Sequence, residues 1–374
     1  MKFGIPAETR PYEKRVAATP ETIKKLTTSG HHTVLVQSGA GADASILDDQ
    51  YVTAGATIVA TAGEVYAQAD IVLKVRAPDA GELVFLKSGQ TLIGLLNPHN
   101  KDGLAAIANT GVNAFAMEAL PRISRAQSMD VLSSQANIAG YKAVLMAANI
   151  YGRMMPMMMT AAGTVKAARV VIMGVGVAGL QAIATAKRLG AVVEATDVRS
   201  ETKEQVESLG AKFIDVPLTD AEKELAKGQG GYARDMGDDY KRRQAAQVAD
   251  RIKQADIVIT TALIPGRPAP VLVTEDMVKS MKPGSVIVDM AVEQGGNCPL
   301  SELDKTVVKH GVHLIGVANF PALVAADSSA LYSRNLLNFL GLMLDAKTGE
   351  FKINREDEII AGTLMCAGGE VVKK

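Results

Sequence analysis

The feature that most constrains this chain is a glycine-rich turn between an apolar run and a helical run. The apolar residues 170–173 precede Gly174, Gly176 and Gly179, which have the spacing Gly-x-Gly-x-x-Gly, and a helical stretch follows. In a βαβ unit of this kind the first glycine permits a tight turn and the second lets a pyrophosphate approach the backbone. The third lets the helix pack close to the sheet, and the helix N-terminus offers free N–H groups to the phosphates. The turn therefore predicts a dinucleotide-binding domain.

Asp197 predicts which dinucleotide binds. It ends the next apolar run, 18 residues after Gly179, where the acidic partner of an adenosine ribose is expected. A carboxylate at this place accepts hydrogen bonds from the 2′- and 3′-hydroxyls and repels a 2′-phosphate. We therefore predict that the chain binds NAD(H) rather than NADP(H).

Composition excludes several classes of protein. The 40 basic and 40 acidic side chains balance, so no net charge attracts nucleic acid or an anionic membrane. The two cysteines, Cys298 and Cys366, fit no metal or disulfide pattern, which favours a reducing compartment, and the five histidines have no metal-like spacing. No window reaches about 18 uninterrupted apolar residues. We expect no bound metal, no nucleic-acid partner and no direct membrane insertion.

Apolar runs alternate with helical stretches in both halves of the chain, which predicts parallel sheets covered on both faces. The predicted strands of the first half are residues 1–6, 33–36, 70–75, 91–96 and 113–115, and its predicted helices include 20–29 and 101–109. The further strands predicted after the glycine turn are residues 212–216, 256–260, 285–289 and 313–317. Six strands would complete a doubly wound, Rossmann-type domain.

The predicted fold class is α/β, with two Rossmann-like domains and a nucleotide-binding cleft between them. The first domain comprises residues 1–135 and 327–374, and the NAD(H)-binding domain comprises residues 136–326. A long helix over about 135–165 should connect them, and a helix over about 330–344 should return to the first domain.

Two segments depart from this alternation. About 40 residues separate the third and fourth strands of the second domain, with four glycines around Tyr232, and loops of this length are usually functional or disordered. This segment is either a flap that carries one contact residue or a solvated surface loop. The methionine-rich run 154–159 is expected to be adaptable core packing rather than a ligand site.

Residues 121–135 form the densest polar stretch, with two arginines, two amides, one aspartate and four serines. One interpretation is a capped surface loop with Arg–Asp pairing. The other is a ligand-binding loop at the cleft, in which Arg122 and Asp130 brace one another while Gln127 and Ser133 face a carboxamide.

Two further stretches follow predicted strands at the sheet edge where ligands bind in open α/β sheets. They are residues 260–266 and 290–297. Each either borders the nicotinamide ribose or is simply a glycine-rich turn.

From these residues, the chain resembles the NAD(H)-binding component, domain I, of proton-translocating NAD(P) transhydrogenases. The resemblance covers nearly the whole chain and includes residues 4–10, 13–16, 121–135, 156–164, 174–190, 260–265, 293–299 and 335–339. It implies AB-specific (Si–Re) hydride transfer between NADH bound here and NADP⁺ bound on a separate domain III. It also implies proton translocation by a membrane domain II, a homodimer, and a cytoplasmic location on the bacterial inner membrane through these partners.

The resemblance also implies site residues. Arg122, Gln127, Asp130 and Ser133 would contact the nicotinamide end, and Tyr232 would lie on a mobile loop that closes over NAD(H). Together with the glycine turn, the predicted cofactor-binding set is Arg122, Ile123, Ser124, Gln127, Ser128, Met129, Asp130, Gly174, Val175, Gly176, Val177, Gly179, Asp197, Val198, Arg199, Gly231, Tyr232, Gln244 and Leu263.

Alanine dehydrogenase is the alternative, because it shares the fold and the patterns around Arg15 and Lys74. That enzyme carries a histidine after the strand that matches residues 91–96 and an aspartate at the position of Glu293. Here residues 94–97 contain no histidine, and direct hydride transfer between two nicotinamides needs no general base. The sequence therefore favours a transhydrogenase component over a stand-alone NAD-dependent amino-acid dehydrogenase or a non-catalytic NAD-binding module.

Overall fold

The computed structural model describes residues 1–199, 201–216, 219, 238–264, 266–345 and 347–373. The chain divides into two compact units, of which the first is Met1–Gln135 with Pro321–Lys374 and the second is Ala136–Phe320. The sequence placed the second boundary after residue 326. In the structure the division falls after Phe320, and within the first unit the Ser328 hydroxyl donates a 2.6 Å hydrogen bond to the Pro321 carbonyl.

The strands, in chain order, are β1 (Lys2–Ile5), β2 (Thr33–Gln37), β3 (Ala56–Val59), β4 (Ile71–Arg76), β5 (Thr91–Leu95), β6 (Asn113–Ala116), β7 (Met158–Thr160), β8 (Gly163–Val165), β9 (Arg169–Met173), β10 (Val192–Thr196), β11 (Lys212–Phe213), β12 (Ile257–Thr260), β13 (Val286–Asp289), β14 (Lys305–Lys309), β15 (Val312–Gly316), β16 (Leu364–Ala367) and β17 (Glu370–Val371).

The α-helices are α1 (Pro20–Thr27), α2 (Asp48–Thr53), α3 (Ala62–Gln68), α4 (Ala80–Leu83), α5 (Lys101–Asn109), α6 (Val131–Ile150), α7 (Val177–Arg188), α8 (Thr202–Ser208), α9 (Asp238–Gln254), α10 (Glu275–Ser280), α11 (Ala325–Leu340) and α12 (Glu358–Thr363). Short 3₁₀ helices cover Ala42–Ala44, Met117–Ala119, Ser124–Met129, Val292–Gln294 and Phe320–Val324. Among the described residues, no helix combines the length and the hydropathy needed to cross a membrane.

The sheet of the first unit has the order β17-β16-β6-β5-β4-β1-β2-β3. Strands β1 to β6 are parallel and follow the doubly wound order 3-2-1-4-5-6. Strands β16 and β17 add an antiparallel edge. Apolar clusters cover both faces of the sheet, one containing Phe115 and Phe339 and the other Tyr66 and Leu92. The strands predicted in this half are confirmed, whereas β3, β16 and β17 were not predicted.

The second unit contains a sheet of order β11-β10-β9-β12-β13-β15-β14. All its pairs are parallel except that of β14 with β15. Without β14 the order is again 3-2-1-4-5-6, the dinucleotide-binding arrangement, so the predicted Rossmann-like architecture is confirmed. Strand β14 was missed because its residues are mostly exposed and show no apolar run.

Two expectations for residues 135–165 were wrong. The long helix ends at Ile150, and the chain then forms the antiparallel hairpin of β7 and β8. Gly152 and Pro156 interrupt the helical pattern between them. Of the methionines, Met155 is buried, but Met157 and Met159 are exposed, Met159 to 74%. The methionine run is therefore largely a surface feature rather than core packing.

Candidate nucleotide-binding and loop site

The geometry at each glycine of the turn between β9 and α7 is compatible with the role that the spacing predicts. Gly174 has φ +97°, and a Cβ there would lie 2.6 Å from the Thr261 hydroxyl oxygen. A Cβ at Gly179 would lie 1.9 Å from the Gly174 carbonyl oxygen, so only glycine allows α7 to pack this closely. At Gly176 no described atom lies within 4 Å of such a Cβ. The backbone at Gly176 is therefore open to an approaching ligand.

Helix α7 directs its N-terminus to the same place. It begins at Val177, and Leu180 N–H donates to Gly176 O. The N–H groups of the first helical turn have no partner within the helix and carry the positive end of the helix dipole. The turn therefore presents backbone donors suited to a pyrophosphate.

Asp197 follows β10 and lies against the glycine turn. Its Oδ2 accepts a 2.7 Å hydrogen bond from Val175 N–H, and its Oδ1 accepts from the backbone N–H and Nε of Arg199, both at 2.9 Å. The side chain of Asp197 is only 6% exposed, and that of Arg199 is 41% exposed. Burial alone would raise the pKa of Asp197, but the hydrogen bonds from Arg199 and Val175 outweigh it and hold the pKa below its usual value. The carboxylate is thus ionised and faces the turn.

The pairing with Arg199 was not anticipated. The Arg199 guanidinium also donates from Nη2 to Oδ2 of Asp197 at 3.0 Å. Asp197 and Arg199 are two residues apart in the sequence, and this spacing does not by itself predict an ion pair. Val198, between them, is exposed.

The loops after β12 and β13 are tied together by one buried amide. Asn297 donates from Nδ2 to the carbonyls of Ala262 (2.9 Å) and Pro270 (2.8 Å), and its Oδ1 accepts from Ala262 N–H at 3.1 Å. The buried Asp289 in turn accepts the Asn297 N–H at 3.0 Å. This network fixes the loop that carries Leu263, whose side chain is half exposed. In the same loop, the Thr261 hydroxyl donates to the Gly174 carbonyl of the glycine turn.

Asn297 and Asp289 were missed as positioning residues. Residues 290–297 were considered as a site border or as a turn, and the structure shows that this stretch braces the neighbouring loop. Pro265 lies outside the described residues.

The polar stretch 121–135 forms a 3₁₀ helix over Ser124–Met129 and then the start of α6. Asp130 caps α6, because its carboxylate accepts from the N–H (2.9 Å) and the hydroxyl (2.6 Å) of Ser133. Arg122 and Gln127 are exposed, and their side chains form no hydrogen bond or ion pair with any described residue. The expected brace between Arg122 and Asp130 is therefore wrong, since the helix cap already occupies the aspartate.

The remaining predicted residues are placed as follows. Ser124 and Ser128 are exposed, Ile123 is half-buried, Met129 is buried, and Gln244 is half-buried on α9. Gly231 and Tyr232 lie outside the described residues. No group of three or more His, Cys, Asp or Glu side chains suited to a metal ion occurs in the part of the chain that the structure describes.

Comparison with known families identifies the two halves of the chain. Residues 4–139 match the alanine dehydrogenase/PNT N-terminal domain, and residues 143–374 match the alanine dehydrogenase/PNT C-terminal domain. The chain belongs to the alanine dehydrogenase/PNT family.

Within this family the chain is a homologue of transhydrogenase alpha subunits. It is 54% identical to an NAD(P) transhydrogenase subunit alpha protein of Rhodospirillum rubrum, over 100% of this chain and 98% of that protein. The crystal structure of transhydrogenase from Sinorhizobium meliloti matches with a TM-score of 0.90 and 50% identity over the whole of both chains. Alanine dehydrogenase of Bacillus subtilis is 30% identical, over 99% of this chain and 92% of that protein.

Arg15 and Lys74, the two cations in the stretches that resemble alanine dehydrogenase, are buried and already paired. The Arg15 guanidinium forms an ion pair with Glu13 at 2.7 Å, and Lys74 forms ion pairs with Glu82 and, at 3.6 Å, with Glu8. Burial raises the pKa of Glu8, although Lys74 and backbone hydrogen bonds oppose the shift. Neither cation is left free to receive the carboxylate of a keto acid.

Proposed function

We propose that this chain is the NAD(H)-binding component of a proton-translocating NAD(P)⁺ transhydrogenase, and that hydride passes directly between NADH bound here and NADP⁺ bound on a partner subunit. One observation carries the proposal. A glycine turn with an inward-facing carboxylate, Asp197, lies in a chain that is 54% identical over its length to a transhydrogenase alpha subunit protein.

The chemistry that NADH supplies when bound is a hydride on its nicotinamide ring. The task of this chain is then to position that ring, because direct transfer needs the reacting atoms at about 3–3.5 Å and no proton acceptor. The N-terminus of α7 would bind the pyrophosphate and Asp197 the adenosine ribose. Gln127 and Arg122, exposed and without partners among the described residues, would bind the carboxamide end. The hydrogen bond between Asp130 and Ser133 holds the point at which their loop enters α6.

The stand-alone amino-acid dehydrogenase is disfavoured on three grounds. Arg15 and Lys74 are internally paired. Residues 94–97, at the end of β5, contain no histidine, and the N–H groups of Leu96 and Asn97 there are held by the Glu118 carboxylate at 3.1 and 2.6 Å. The segment is thus built around a structural carboxylate rather than an acid–base group.

The proposed partners are an NADP(H)-binding domain III and a membrane domain II, which would hold this component at the cytoplasmic face of the bacterial inner membrane. We also propose a homodimer. The exposed methionines of the β7–β8 hairpin support it, because a lone two-stranded hairpin is marginally stable in water and exposed apolar patches mark protein contacts. Sedimentation of the wild type and of Met159→Ser tests this proposal, and a monomeric wild type would contradict it.

Partner-dependent turnover tests the proposed function. The protein is mixed with NADH, oxidised acetylpyridine adenine dinucleotide and a purified domain III loaded with NADP(H). Reduction of the analogue only when domain III is present supports the proposal. NADH oxidation that depends on pyruvate and ammonia with this chain alone would support the dehydrogenase instead. NADH binding with neither activity would indicate a binding module.

Gln127→Asn tests the proposed carboxamide contact, since the shortened side chain should slow hydride transfer far more than it weakens NADH binding. Gln68→Asn is a matched control, because Gln68 is also exposed in the first unit. Equal losses in binding and transfer would count against the contact.

A further inference from the structure

The turn that carries Gln127 is held from one side by two asparagines of α11. The Ser128 carbonyl accepts hydrogen bonds from Nδ2 of Asn335 at 2.8 Å and from Nδ2 of Asn338 at 3.0 Å. Asn335 is only 8% exposed, and its Oδ1 accepts from the Ser134 hydroxyl at 2.8 Å. One buried amide therefore bridges the turn and the first turn of α6.

An ion pair holds the same turn at a second point. The Arg125 guanidinium donates two hydrogen bonds to the Asp357 carboxylate, at 2.7 and 2.8 Å. Asp357 is itself fixed, because it caps α12 by accepting from Ile359 N–H at 2.8 Å. Gln127 lies between the anchored residues Arg125 and Ser128.

The turn is a 3₁₀ helix of six residues, Ser124–Met129. Its ends are joined by the backbone hydrogen bonds Ala126 N–H to Ile123 O (3.0 Å) and Asp130 N–H to Gln127 O (3.3 Å), and 3₁₀ helices have poorer hydrogen-bond geometry than α-helices. A residue that fixes a reacting ring must nevertheless be held to a fraction of an ångström. The hydrogen bonds to Ser128 and Arg125 therefore add to the restraint that the buried Ala126 and Met129 give the turn.

The residue types at these positions fit this role better than packing alone. Asparagine is a poor helix former, and two of them one turn apart weaken α11 locally. A buried position such as 335 would be filled by leucine if only packing mattered, because a buried amide is tolerated only when its hydrogen bonds are satisfied.

We propose that Asn335 and Asn338 are positioning residues for hydride transfer, because they fix the Ser128 carbonyl and thereby the place of Gln127. This inference rests on the proposed function, in which Gln127 contacts the nicotinamide carboxamide.

The test is the double variant Asn335→Asp/Asn338→Asp. Each substitution conserves volume and keeps the oxygen that the asparagine already presents, which at position 335 faces Ser134, but it replaces the N–H donors to Ser128 by oxygen. Arg334→Gln is the matched control. Arg334 lies on α11 beside Asn335, but its side chain forms an exposed ion pair with Glu21 of α1 and not with the turn. The single variants Asn338→Asp and Asn338→Gln are compared in the same way. Asn338→Gln keeps an N–H donor and should retain most of the hydride-transfer rate that Asn338→Asp loses.

Three quantities are measured in the full-length protein: the NADH dissociation constant, single-turnover hydride transfer with NADP⁺-loaded domain III, and amide hydrogen exchange of residues 126–129. We expect transfer to fall about tenfold to a hundredfold while the dissociation constant rises less than about threefold. Exchange should accelerate about tenfold. The Arg334→Gln variant should match the wild type in all three.

A double variant with wild-type transfer, or with equal losses in binding and transfer, would overturn the inference. Failure of the proposed function is distinguishable, because the wild type itself would then show no partner-dependent transfer. In that case the amide hydrogen exchange of residues 126–129 still tests whether the asparagines hold the turn. An exchange rate in the double variant equal to that of the wild type would overturn the inference.

Discussion

Asp197→Asn is the sharpest perturbation of cofactor selection. The substitution conserves the shape of a side chain that is 6% exposed, but it removes the negative charge and turns one acceptor into a donor. That donor would face either Val175 N–H or the Arg199 guanidinium, which now approach the two carboxylate oxygens. The variant therefore loses the ionic acceptor for the ribose and releases Arg199 from its partner.

The expected magnitude follows from these contacts. A hydrogen bond to a charged group contributes about 1.5–3 kcal/mol, and each 1.4 kcal/mol changes a dissociation constant about tenfold. NADH affinity should therefore fall about 10-fold to 100-fold. NADPH affinity should fall less or rise, because the repulsive carboxylate is gone and a half-exposed guanidinium is free to face a 2′-phosphate.

Calorimetric titration of NADH and NADPH into the wild type and the variant measures the selectivity ratio directly. Asp215→Asn, which breaks an exposed ion pair with Lys203 in the same unit, is the control and should leave the ratio unchanged. The reasoning is refuted if Asp197→Asn leaves the ratio of the two affinities unaltered, or if the wild type binds NADPH more tightly than NADH.

Further predictions concern the turn, the buried charges and the loop anchor. Gly176→Ala should keep wild-type stability but bind NADH at least about tenfold more weakly, because its Cβ enters space that is open in the protein. Gly179→Ala should instead lose about 1–3 kcal/mol of unfolding free energy or more, since its Cβ would lie 1.9 Å from a backbone oxygen; denaturant melts and NADH titration separate the two, and equal stability would contradict this. Lys74→Met should lower the unfolding free energy by about 3–5 kcal/mol by leaving buried carboxylates without a cation, and a neutral effect in the same melts would show that the cluster is not ionised. For Asp357, the hydrogen bonds from Arg125 hold the pKa below its ordinary value of 3.8. The stability advantage of the wild type over Asp357→Asn should be full at neutral pH and vanish as pH falls through that lowered pKa; an advantage that persists in acid would contradict the assignment.

Local patterns were sufficient to predict the framework. Strand–helix alternation indicated both sheets, because buried parallel strands are continuous apolar runs, and the glycine spacing located the turn. Strands such as β3 and β14 escaped prediction because they lie at sheet edges and are partly exposed. Their pairing depends on neighbours that no local pattern identifies.

The candidate site was predictable only where a single segment defines it. The turn at Gly174–Gly179 is local, so its geometry followed from spacing. The anchors of the polar loop are not local, because Arg125 and Asp357 are 232 residues apart and Ser128 and Asn335 are 207 apart. The sequence analysis considered only a pairing within the loop, that of Arg122 with Asp130.

The central claim is that hydride moves directly from NADH on this chain to NADP⁺ on a partner. The most direct measurement uses NADH carrying deuterium at the transferred C4 position, with domain III and NADP⁺, followed by mass spectrometry of the NADPH formed. The account predicts that the label is retained in NADPH and that none is exchanged with water. Deuterium lost to solvent, or NADPH formation without this chain, would contradict it.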